Sequence, residues 1–152
     1  GHFHHFLWHM GNHAPNAAAK QVILDNISEE FGGRCLSHEQ LYHQFALSMG
    51  VNMTDEISSA TVEEYISTFN QGHQEWLMQH DWNHCLSAFA AYEHLDNVDY
   101  PMLSSIARRM GTPRAGLAFF TVHEQVTHFE SIGELLLDTW INAPYSVIAG
   151  FE

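Results

Sequence analysis

The sequence predicts an all-α fold, a bundle of about six to seven helices, as one domain over residues 1–152. Three observations carry that expectation. Apolar residues recur at helical spacing along most of the chain. The clearest case is Phe119, Val122, Val126, Phe129, Gly133, Leu136 and Trp140, which fall on one stripe at about 100° per residue. No strand-like alternation of useful length competes with it. Start signals (Ser37 with Gln40, Thr61 with Glu64, Thr112-Pro113) stand where periodicity begins, and Gly32-Gly33, Gly50 and Gly111 stand where it ends.

Taken in order, the first helix runs from about Phe3 to Gly11, with Phe3, Leu7 and Met10 on its apolar face, and stops at Asn12 to Pro15. It opens without a cap, like the remainder of a longer element whose N-terminal part is missing. A second helix, about Asn16 to Phe31, carries the stripe Ile23, Ile27 and Glu30, with Glu29 pointing away. Ser37 caps the third, where His38, Leu41, Phe45 and Met49 share a face and His43 points outward. Val51 to Ala60 reads as a polar connection. The fourth passes through Tyr65, Phe69, Trp76 and Leu77 to about His80. From Asp81, the residues Trp82, Leu86, Phe89 and Glu93 sit at i, i+4, i+7 and i+11, so Glu93 continues an apolar face. Asn97 to Pro101 should kink or interrupt this helix before it resumes through Ile106 to Met110. The last long helix runs from Thr112-Pro113 to Ala143-Pro144, leaving a short apolar tail.

A chain of 152 residues can bury one sizeable core. Eighteen acidic side chains against five basic ones give a formal charge of -13, which argues against nucleic acid and anionic membranes as partners. No apolar run approaches the ~20 residues that span a bilayer, and no signal-peptide pattern opens the chain. Cys35 and Cys85 form no metal-type pair, and a reducing, cytoplasmic setting is the expectation. Thirteen histidines are far above ordinary usage, and His2, His4, His5, His9 and His13 crowd the start. Interleaved with Phe3, Phe6, Leu7, Trp8 and Met10 at helical spacing, they read as native sequence rather than a tag.

Four helices each place an acid or an imidazole at or beside an apolar stripe: Glu30, His38, Glu93, and His123 with Glu130. His123 and Glu130, seven residues apart, lie on one helix face, with Thr127 and Glu134 beside them. Buried charges of this kind are costly unless paired or bound to something. Carboxylates and imidazoles projecting inward from different helices are how a helical scaffold holds iron or manganese. The plainer alternative is that each is satisfied by its own hydrogen bond, or that a helix face is misjudged by one position. His4, at the flank of the first helix, is a further candidate ligand. Glu124 and His128 form an i, i+4 pair that periodicity puts opposite the core stripe, on the surface. Neither cysteine has a local activating signature for nucleophilic work.

The stretches NISEEFGG, SHEQLYHQFALSMGV, AFAAYEHL and FFTVHEQVTHFESI, in this order, resemble the heme-oxygenase-like (TenA/PqqC-like) helical proteins. More narrowly they resemble the iron-containing redox enzyme branch, the heme-oxygenase-like diiron oxidases. The resemblance covers nearly the whole chain and implies a heme-oxygenase-like bundle. It implies metal ligands at Glu30, His38, Glu93 and His123. Thr127 stands where that family has Asp, and Glu130 where it has a final His. Glutamate can still ligate and threonine is a poor iron ligand, so half of a two-metal site is altered. Some members use a first-helix Glu, and His4 stands in that region here. The function implied is a non-heme iron oxidase or oxygenase, holding one or two Fe2+ ions with manganese as the alternative. O2 and a small carboxylate-bearing substrate would be its partners, with Arg108 or Arg109 as a candidate anchor and a homodimer as the protein assembly allowed for. The competing readings are a metal-binding or partner-binding helical module without catalysis, and a cofactorless or thiol-dependent TenA/PqqC-like enzyme.

Overall fold

Side-chain caps set where several of the helices begin. The computed structural model describes residues 2–33, 35–54, 64–125 and 128–151, the side chains of His2 and His128 excepted. Eight helices and no strand lie among the described residues: α1 His2–His13, α2 Ala17–Glu30, α3 His38–Ser48, α4 Glu64–Gln79, α5 Trp82–Arg109, α6 Arg114–Gln125, α7 His128–Asn142 and α8 Pro144–Phe151. At the head of α2, Asn16 Oδ1 accepts from Ala19 N at 2.9 Å, and at the head of α5, Asp81 Oδ1 accepts from His84 N at 3.2 Å. Each satisfies an amide that has no partner within its helix. The capping box expected at Ser37 is formed in full, with Ser37 Oγ accepting from Gln40 N and Gln40 Oε1 accepting from Ser37 N. The box expected at Thr61, and most of the Val51 to Ala60 connection, lie outside the described residues.

One expectation about continuity is corrected. α5 runs unbroken from Trp82 to Arg109 with Pro101 inside it. Proline deletes one backbone donor, but the turns on both sides of it remain bonded and keep the rod helical. The stretch expected as the last long helix is helical on both sides of residues 126–127, which lie outside the described residues, as α6 and α7, and the apolar tail is itself helical, with Pro144 as the first residue of α8. Proline serves there both as a stop for α7 and as a start for α8.

The chain divides into two compact units. The first comprises Gly1–Ile27, Glu64–Leu95 and Thr127–Glu152. Its core is built on Phe6, Leu7, Met10, Ile23, Leu86, Phe89 and Ile132, all shut off from solvent. Phe6 and Phe89 meet edge to face at 5.5 Å, and burying each ring contributes roughly 1.5–3 kcal/mol. α1 packs on α4, and α7 on α8. The stripes expected on α2 (Ile23, Ile27) and α5 (Leu86, Phe89, Glu93) are buried. On α7, however, Ile132 and Thr139 are buried while Trp140 is 49% exposed. The expected stripe is therefore off by about one position, as it is on α6, where Phe120 is buried and Phe119 only half-buried.

The second unit comprises Ser28–Glu63 and Asp96–Val126. There α3 packs along α6, joined by an aromatic ladder in which Phe45 meets Phe120 edge to face at 4.9 Å and Tyr42 meets Phe119 at 5.3 Å. No helix among the described residues is long and apolar enough to cross a membrane.

Candidate functional site

The site begins with a turn that only glycine can make. Gly32, at φ +92°, reverses the chain just after α2, and a Cβ there would stand 2.6 Å from Ser37 N and 2.7 Å from the Cys35 carbonyl. The Ser37 cap then starts α3 at once. The last residue of α2 is thereby brought against the first of α3, and His38 Nδ1 lies 2.8 Å from Glu30 Oε1. Both side chains are mostly enclosed, 11% exposed for His38 and 16% for Glu30. A carboxylate only accepts, so the imidazole donates through Nδ1–H and, while neutral, keeps its lone pair on Nε2.

The packing of α3 on α6 supplies the second imidazole. His123, near the end of α6, has its ring centroid 4.3 Å from that of His38. Its Nδ1 lies 2.7 Å from the Phe119 carbonyl oxygen. A carbonyl has no proton to give, so Nδ1 carries the hydrogen and Nε2 the lone pair. Tyr100 stacks on the His123 ring at 4.1 Å and 13°, and Phe119 packs against it at 4.6 Å. One carboxylate and two imidazoles, each ring oriented through Nδ1 by an acceptor, are thus gathered between α2, α3 and α6. Tyr100 has no place in the sequence expectation because Pro101 beside it predicts a kink or interruption there. Its spacing of seven from Glu93 carried the signal.

The other expected ligands belong to the first unit. Glu93 is buried at 6% exposure on α5. His4 is half-buried on α1. Glu130, expected beside the core stripe, is instead exposed in the first turn of α7, as the rotated face of that helix requires. Thr127 lies outside the described residues.

The donor chemistry of the Glu30, His38 and His123 cluster suits iron: one oxygen and two imidazole nitrogens is a ligand set that non-heme iron uses. An acceptor on the second ring nitrogen is how metal-binding histidines are oriented. No group of three or more His, Cys, Asp or Glu among the described residues is arranged around one point as an ion requires. In this conformation Glu30 is engaged with His38.

Arg108, a candidate substrate anchor, is held by Glu124, with Nη2 3.1 Å from Oε2. Its guanidinium keeps the Glu124 carboxyl below the usual carboxylate range. Cys35 is exposed and Cys85 buried, and both are free thiols. Burial pushes the Cys85 thiol up to about 11, so it is protonated at neutral pH and a poor nucleophile.

Residues 1–128 match the model of a family described as iron-containing redox enzyme. No curated protein and no solved structure matches the chain.

Proposed function

Because the chain belongs to the iron-containing redox enzyme family, we propose that it is an oxidoreductase using non-heme iron, one or two ions, to activate O2 and oxidise a small organic substrate. His38 and His123 are its imidazole ligands. The observation that carries this reading is the pair of touching rings, each oriented through Nδ1 by an acceptor. Bound ferrous iron would supply the one-electron chemistry that O2 needs in order to react with a closed-shell organic molecule.

The chain's own residues do the rest. Glu30 holds the proton on His38 Nδ1 and contributes the carboxylate of the set. The Phe119 carbonyl does the same for His123. Tyr100 and Phe119 lie against the His123 ring and limit its contact with water, which keeps the imidazole in one orientation. The aromatic ladder of Tyr42, Phe45 and Phe119 is an apolar wall suited to an organic substrate. A carboxylate-bearing substrate would have to exchange with Glu124 to reach Arg108. The reading rests on the second unit's residues alone and asks nothing of Glu93, Glu130 or His4. A thiol-dependent mechanism loses support from the protonated, buried Cys85.

Anaerobic reconstitution with ferrous iron, followed by elemental analysis and then exposure to O2, tests it. The expected result is retained iron and an O2-dependent absorbance change, both lost in His38→Ala and His123→Ala. Protein that stays iron-free after reconstitution would overturn the proposal.

A further inference from the structure

A cavity in the first unit has chemistry of a different kind. It measures about 390 Å³ and is walled by α4, α5 and α8, within the size range of small-molecule sites. Three rings from α4 (Phe69, His73 and Trp76) and one from α5 (Tyr92) line it, and no charged side chain does. The third wall is close-packed by necessity. A Cβ on Gly150 of α8 would stand 2.8 Å from both the Ala88 amide nitrogen and the His84 carbonyl oxygen, so only glycine lets α8 lie this near α5. α8, one of its walls, lies outside the segment that matches the family, residues 1–128.

One lining residue is left incomplete. His73 Nε2 is shut off from solvent and has no hydrogen-bond partner. The ring is packed by Phe6 at 5.1 Å, Tyr92 at 5.5 Å and Phe69 at 6.0 Å. A buried polar atom without a partner is a standing cost that natural structures rarely leave without a purpose. Burial lowers the His73 pKa, so the ring is neutral at pH 7. A neutral imidazole nitrogen is a single donor or a single acceptor according to tautomer. A hydroxyl or an N–H group can answer it in either case once the ring turns about its soft χ2. Charge narrows the ligand further. With a net charge of -13 on the chain and no cation in the lining, a carboxylate or phosphate would be repelled and left without a counter-ion.

We infer that this cavity is a binding site for a small uncharged aromatic compound bearing a hydroxyl or N–H group, which stacks among the rings and pairs with His73. It stands apart from the iron reading, and its test runs on the full chain with or without iron. Binding of 2-naphthol, naphthalene and 2-naphthoate is followed by the fluorescence of each probe. The expected result is saturable binding of 2-naphthol, with naphthalene weaker by roughly three- to tenfold, as one neutral hydrogen bond implies, and 2-naphthoate weaker than 2-naphthol. His73→Phe, which keeps a packed ring, brings 2-naphthol down to the level of naphthalene and leaves naphthalene unchanged. Thr68→Trp, at an exposed position on the rim, plugs the mouth and weakens both while the circular dichroism stays that of the parent. Absence of saturable 2-naphthol binding would overturn the inference. So would affinities unchanged in both variants, or 2-naphthoate binding the tightest of the three.

Discussion

Removing Glu30 is the sharpest test of how the candidate metal site is built. In Glu30→Ala, His38 loses the acceptor 2.8 Å from its Nδ1, in a place where the two side chains are only 11% and 16% exposed and water replaces the bond poorly. A hydrogen bond to a charged group contributes about 1.5–3 kcal/mol, and that difference corresponds to roughly ten- to a hundredfold in an equilibrium constant. The same range is typical when the partner of a metal-binding histidine is removed. Ferrous affinity in Glu30→Ala should therefore fall by about one to two decades. Glu30→Gln retains an oxygen acceptor and should lose less. The assay is anaerobic competition against a chromophoric chelator, with far-UV circular dichroism as the control for folding. An affinity that stays at the parent value in Glu30→Ala, with the helices intact, would refute both the orienting role and the ligand role of this carboxylate.

Phe89→Ala should lower stability by about 3–5 kcal/mol, read as a shift in the urea midpoint, because Phe89 is wholly buried and packs on Phe6 and Phe3. The pH profile of stability should carry the mark of His73 and His9. Burial lowers both pKa values below 6.5, so the unfolded chain takes up these protons first. The stability they contribute is present above 6.5 and is lost as pH falls from there toward the folded-state values. Urea midpoints at pH 7.5 and 5.5 should differ less in His73→Phe than in the parent, and an identical difference would refute the assignment. Iodoacetamide at pH 7 should label the exposed Cys35 and spare Cys85, whose thiol is both buried and pushed up to about 11. Peptide mapping that finds Cys85 modified as fast as Cys35 would contradict its enclosure.

The chain by itself determined what depends on near neighbours. The Ser37 and Gln40 box is a contact between residues three apart, and it formed as the spacing requires. The faces carrying Ile23 with Ile27, and Leu86 with Phe89 and Glu93, follow from helical periodicity within one rod, and those residues are buried. Family membership was likewise written in short motifs read in order. The face expected from Phe119 to Trp140 is off by about one position, so Phe120 and Ile132 are buried while Glu130 is exposed and Trp140 half out in water. Only the tertiary structure decided which side chains meet. The pairing of Glu30 with His38 needs the left-handed turn at Gly32. The contact of His38 with His123, eighty-five positions on, needs α3 laid along α6. Contacts of that kind depend on how helices dock and on what closes around them, and a short-range pattern carries no record of either.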